Sequence, residues 1–218
     1  MAERLKISFF TKHVTVPFLK IWINNVTGLG NVPRNKSFIL APNHNSYIEH
    51  YLIGSILMPY LKKGICILAK KEHFDTATQR NWHKYWSRYV STIPIDRSKG
   101  EDALKSASSY LKNGGILVVY PEGTRSLTGK LQKAKTGVAR LALLSKAPVV
   151  PIGLIGTFEI LPKGKYIPRF KRATMNIGKP MHFPAYYNKK INKRMLREVT
   201  TKIMKEIAKL SKQRYDFD

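Results

Sequence analysis

The chain has 218 residues, with 39 Lys and Arg against 13 Asp and Glu, a formal charge of +26. Its length suits one domain with a real core, and hydrophobic and aromatic fractions of 43% and 11% exclude wholesale disorder. The charge favours polyanionic partners: nucleic acid, an anionic membrane surface or phosphorylated small molecules.

The N-terminal stretch "RLKISFFTKHVTVPFLKIWINN" interleaves Phe9, Phe10, Phe18, Leu19, Ile21, Trp22 and Ile23 with Arg4, Lys6, Lys12, His13 and Lys20. Basic amphipathic helices with aromatics suit a lipid interface, although such residues can also pack on their own domain. Pro17 kinks or breaks that helix. Residues 1–25 are therefore expected to form an amphipathic membrane-associating segment, ahead of an α/β domain over 26–218.

Within that domain the apolar run "SFILA" (37–41) precedes a helical stretch reaching about residue 61. The run "ICILA" (65–69) contains the single cysteine, Cys66, which reads as a small core residue and cannot form an intrachain disulfide. A Trp-rich segment leads to "STIPID" (91–96), and "EDALKSASSYLKN" reads as a helix closed by Gly114 and Gly115. "ILVVY" (116–120) is the cleanest strand, followed by the polar loop "PEGTRSLTGK" and the helix "TGVARLALLSK". Strands "PVVPIGLI" and "ATMNIG" come next. The last helix places Met195, Val199, Ile203 and Ile207 on one face. This alternation predicts a largely parallel, mixed sheet flanked by helices. The longest strongly apolar stretch, residues 50–61, is short of the roughly 18 residues that span a bilayer.

Ligands of open α/β sheets bind beyond the carboxyl ends of the strands. Polar clusters follow four predicted strands: "NHNS", "KKEH", "DRS" and "PEGTRS". They are expected to line one cleft. Familiar phosphate loops are absent from it. "GTRSLTGK" has five residues between its glycines where a nucleotide P-loop has four, and Leu131 stands where Ser or Thr would hold magnesium. "GLGNVP" lacks the preceding strand and the third glycine of a dinucleotide site. There is no G-x-S-x-G elbow for Ser46, which suits a helix N-cap better than a nucleophile. His and Cys show no zinc spacing.

What remains is His44 with Glu49, joined by Arg97 and the "EGTRS" segment. An imidazole of near-neutral pKa can take the proton of an attacking alcohol, and a carboxylate on its far nitrogen fixes the tautomer. Arginines offer bidentate recognition of a phosphate. These residue types suit acyl transfer to a hydroxyl of a phosphorylated acceptor. Five residues apart on one helix, His44 and Glu49 would miss each other. They can meet if His44 lies in the entering loop.

The segments "NHNSYIE", "ILAKKEHF", "IPIDRS", "YPEGTRS" and "APVVPIGLIGT" resemble, in order, the motif blocks of the glycerolipid acyltransferases. The likeness covers about residues 37–157 and is nearest to the 1-acylglycerol-3-phosphate (lysophosphatidic acid) acyltransferases. It implies that His44 is a general base for direct attack of the acceptor hydroxyl on an acyl thioester. It further implies that Lys70, Arg97, Glu122, Gly123, Thr124 and Arg125 bind the acceptor phosphate, and that Pro151 lies near the acyl group. The first block of the family ends in Asp, where this chain has Glu49. Implied partners are a lysophosphatidate-like acceptor, an acyl-CoA or acyl-carrier-protein donor and an anionic membrane surface at the cytoplasmic face, with no cofactor and no nucleic acid. The alternatives are acylation of another lyso-lipid or glycolipid acceptor, a basic nucleic-acid-binding module, and a serine hydrolase using Ser46.

Overall fold

The computed structural model describes residues 16–70, 90–95 and 100–217, and of residues 69–70, 90–95 and 100 the backbone alone. Most of the predicted N-terminal segment, the Trp-rich stretch and Arg97 lie outside the described residues. The chain begins with α1 (Val16–Lys20) and β1 (Ile23–Thr27), then β2 (Phe38–Pro42), α2 (Glu49–Leu61), β3 (Ile65–Lys70) and β4 (Val90–Ile95). It continues with α3 (Gly100–Lys112), β5 (Ile116–Val118), α4 (Gly137–Ser145), β6 (Val149–Ile155), α5 (Thr157–Ile160), β7 (Ala173–Ile177) and α6 (Lys193–Ser211).

The described strands form one seven-stranded sheet in the order β1-β7-β6-β2-β5-β3-β4. β6, β2, β5, β3 and β4 run parallel, with Ala41 opposite Pro151 and Leu40 opposite Val118. β7 runs against β6, and β1 follows β7, so the sheet is mixed as predicted. All five residues of β2 are buried, as expected for a central parallel strand covered on both faces. Alternate residues supply the two core layers: Ile39 and Ala41 meet α3, α4 and α6, whereas Phe38 and Leu40 meet α2.

Expected elements and structure agree closely in α6, whose Met195, Val199, Ile203 and Ile207 are all buried against the sheet. Asn192 caps this helix by accepting the Met195 N–H at 2.9 Å. The strand expected over 116–120 is shorter: it is regular over Ile116–Val118, the Val119 N–H makes a last bond to the Leu40 carbonyl, and Tyr120 opens a turn. Gly153 shows how tightly α6 sits. A Cβ there would lie 2.2 Å from the Leu210 carbonyl carbon and 2.3 Å from the Ser211 nitrogen. Gly153→Ala must push the last turn of α6 away from β6, an overpacking expected to destabilise by about 1–3 kcal/mol. Chemical denaturation should show a lower midpoint with an unchanged slope.

Candidate active site

The loop between β2 and α2 carries His44, and Glu49 is the first residue of α2. This is the geometry that brings the two together. His44 Nδ1 lies 2.7 Å from Glu49 Oε2, although the residues are five apart. The other carboxylate oxygen, Oε1, accepts the Asn45 N–H at 2.7 Å, the Ser46 N–H at 3.0 Å and the Thr157 hydroxyl at 2.8 Å. Glu49 thus reaches back over the loop that precedes it and ties that loop to α5. An acid in the first turn also complements the helix dipole.

Two further bonds fix the loop. Asn43, fully buried, donates through Nδ2 to the Leu154 carbonyl and accepts the Leu154 N–H through Oδ1, at 3.0 and 2.7 Å. Glu122 Oε1 accepts the His44 backbone N–H at 2.8 Å, and Oε2 accepts the Gln132 N–H at 2.9 Å. Glu122 owes its place to the sequence "YPEG", a turn in which the Gly123 N–H bonds to the Tyr120 carbonyl. Proline and glycine fit the second and fourth positions of such a turn, and Gly123 takes φ +69°, which disfavours other residues. The Ser126 N–H closes the circuit on the His44 carbonyl at 2.8 Å.

The His44 ring stacks on Tyr120, with centroids 3.8 Å apart and planes at 24°. Arg125 lies over the Tyr47 ring, with its guanidinium carbon 4.4 Å from the centroid. A guanidinium so placed is attracted by the ring's π face, and its N–H groups are of a type that can bind an anion. His44 keeps 16% side-chain exposure while Glu49 has none, so the pair has a buried acid end and an accessible base end.

Burial disfavours the imidazolium and pushes His44 down to about 3, with the positive charges of Arg125 and Lys163 adding to the effect. The same burial pushes the Glu49 carboxyl up to about 8, against bonds from Asn45, Thr157 and Ser46 that favour its anion. Burial likewise raises Glu122 to about 7, opposed by the amides of His44 and Gln132. The pair titrates as a unit. A single proton shared between Nδ1 and Oε2 would leave Nε2 free to accept another.

The structure therefore unites His44, Glu49, Glu122, Gly123, Thr124 and Arg125 at the carboxyl ends of β2 and β5. Lys70 ends the neighbouring β3, where only its backbone is described. Ser46 differs from expectation. Helix α2 starts after Ile48, and the Ser46 hydroxyl donates to the Leu161 carbonyl at 2.6 Å while accepting the Ile48 N–H at 3.2 Å. A buried hydroxyl so committed is neither an N-cap of α2 nor a nucleophile activated by His44. Asn43, Tyr120 and Thr157 were not assigned from the sequence, though each lies inside or beside a quoted motif. Among the described residues no cluster of His, Cys, Asp and Glu could hold a metal ion, and no helix is long and apolar enough to cross a membrane.

Strand-end loops on a mixed α/β sheet, with a carboxylate-bonded histidine and an arginine beside it, suit an enzyme of group transfer. The chain belongs to the acyltransferase family, whose pattern matches residues 24–155, more than half of its length. It is 31% identical over 155 residues to the 1-acyl-sn-glycerol-3-phosphate acyltransferase of Bacillus subtilis, covering 70% of each chain. With the corresponding Cocos nucifera enzyme it shares 32% identity over 189 residues, 83% of this chain and 58% of that one. The chain thus spans only part of the length of these relatives. The crystal structure of the acyltransferase PlsC from Thermotoga maritima has the same fold, with a TM-score of 0.64, 23% identity and coverage of 99% and 86% of the two chains.

Proposed function

We propose that the chain transfers a fatty acyl group from acyl-CoA or acyl-carrier protein to the free hydroxyl of lysophosphatidic acid. It would do so as a peripheral or monotopic protein at the cytoplasmic face of a membrane. The observation that carries this reading is the His44–Glu49 pair, with Arg125 held beside it by Tyr47. Relatives named as 1-acyl-sn-glycerol-3-phosphate acyltransferases support the acceptor.

In the reaction Nε2 of His44 takes the hydroxyl proton as the acceptor oxygen bonds to the thioester carbonyl carbon. Glu49 balances the imidazolium that forms. Collapse of the tetrahedral intermediate breaks the carbon–sulfur bond. The proton passes from Nε2 to the leaving thiolate, which regenerates His44 with no acyl-enzyme.

Arg125 and, by family likeness, Arg97 and Lys70 bind the acceptor phosphate. Both oxygens of Glu122 already accept N–H groups of His44 and Gln132, and an anion beside a phosphate would repel it. Its part is to hold the turn that presents Gly123, Thr124 and Arg125. The rival hydrolase loses its nucleophile with Ser46 committed to Leu161.

Arg125→Ala tests this reading twice. The acceptor KM should rise by about tenfold or more, since charge-assisted bonds to a non-reacting group are lost. The acid limb of kcat/KM should also move to higher pH, because Arg125 opposes uptake of the second proton by the pair. Unchanged acceptor kinetics would place the phosphate elsewhere. Steady-state assays with lysophosphatidate across a pH series read both effects.

A further inference from the structure

Three large apolar side chains stand almost fully in solvent on one short loop: Tyr166, Ile167 and Phe170 are 90%, 84% and 93% exposed. Around them lie Lys163, Lys165, Arg169, Lys171 and Arg172, all exposed, and the sequence has no acid between Glu159 and Glu198. Such a set is unlike the scattered apolar residues of an ordinary surface.

The loop backbone is nonetheless fixed. The Lys165 N–H bonds to the Pro162 carbonyl, the Arg169 N–H bonds to the Ile160 carbonyl, and Trp22 Nε1 donates to the Arg169 carbonyl at 3.1 Å. The exposed side chains are therefore displayed by an ordered frame.

Topology says where that frame points. β7 runs against β6, with Thr174 opposite Ile155, so the connection between them lies at the carboxyl end of β6, the end that carries His44. β1 is parallel to β7, with Ile23 opposite Ala173, so α1 enters at this same end. Phe18 of α1 and Ile21 just after it are also exposed, and Trp22 ties this segment to the loop. The Ser46 bond to Leu161 fastens the base of the loop to the His44 segment.

We propose that the 163–172 loop, with Phe18 of α1 and the adjoining Ile21, is an interfacial wedge that seats the mouth of the active site on an anionic lipid surface. The apolar side chains enter the headgroup boundary, and the basic residues meet the lipid phosphates. An acceptor lipid then reaches His44 from the bilayer without crossing water. A protein partner is the lesser fit, because the exposed apolar residues are interleaved with five basic ones and the sequence has no acid between Glu159 and Glu198, the mixture that an anionic lipid interface takes. The inference rests on the lysophosphatidate reading only for the purpose of the wedge, not for its contact with lipid.

The test is co-sedimentation of the full chain with phosphatidylcholine vesicles, with and without phosphatidylglycerol. The Ile167→Ser/Phe170→Ser variant should lose at least about tenfold in partition to anionic vesicles, with unchanged thermal melting. The Lys165→Glu/Lys171→Glu variant should lose binding to anionic vesicles and leave the weak binding to neutral ones as it is. Partition of the serine variant equal to wild type overturns the proposal. If that variant instead keeps its partition and loses only transfer from acyl-carrier protein, the patch is a protein-docking surface and the proposal fails. Partition reads lipid contact without any chemistry. A wild-type chain that acylates no lysophosphatidate, yet needs Ile167 and Phe170 to bind vesicles, refutes the substrate and keeps the wedge.

Discussion

His44→Ala should lower the rate of acyl transfer by at least about two orders of magnitude, the usual scale for removing a general base. The loss should fall on kcat, because in the proposed reaction His44 meets the reacting hydroxyl and not the phosphate that anchors the acceptor. Folding should survive, since the His44 backbone keeps its bonds to Glu122 and Ser126 and Glu49 Oε1 keeps its three donors, although the ring's bond to Oε2 is lost. Ser46→Ala serves as the contrast. It breaks the bond to Leu161 and costs about 1 kcal/mol of stability, while most activity remains. If Ser46→Ala were the more damaging of the two in turnover assays, the mechanism would be wrong.

Glu49→Gln should be nearly as damaging, for a reason that the geometry makes specific. Oε1 receives three donors, from Asn45, Ser46 and Thr157, so the amide oxygen of glutamine must take that position. Its NH2 group then faces His44 Nδ1 and donates to it. This forces the proton onto Nε2, the atom that has to accept one. A loss of about three to four orders of magnitude in kcat follows, the scale of a wrong-tautomer triad. Thermal melting should stay at or above that of wild type, since the three donors keep their acceptor and no charge is buried. Glu49→Asp keeps the charge but is one methylene short of either His44 or the three donors. It should fall between the two, because a misplacement of about 1 Å can cost a hundredfold. A glutamine variant with wild-type kcat would remove Glu49 from the chemistry.

This pair was legible in the sequence because its two members are five residues apart and separated by a loop-to-helix transition. So were the strand ends that carry "NHNS" and "PEGTRS", and the helical stripe of α6, since period and turn chemistry are local signals. The partners of the site were not legible. Asn43 meets Leu154 across 111 residues and Thr157 meets Glu49 across 108, and no local periodicity encodes a bond of that span. Ser46 misled for the same reason. Its residue type suits an N-cap, but a carbonyl from Leu161, far along the chain, took its hydroxyl. The reversal of β7 was equally hidden, because a strand's own residues do not record its direction.

The Asn43 side chain has a consequence for the energetics of turnover. Pro42 ends β2 without an N–H to offer, and the amide of Asn43 takes the next rung by pairing with both backbone groups of Leu154. The sheet is in effect one residue longer than its main chain. His44 therefore springs from a point as rigid as the centre of the molecule, and its freedom is surrendered once, when the protein folds. In the proposed reaction each acceptor would meet a base already in place, so that ordering the base would consume none of the binding energy of the lipid.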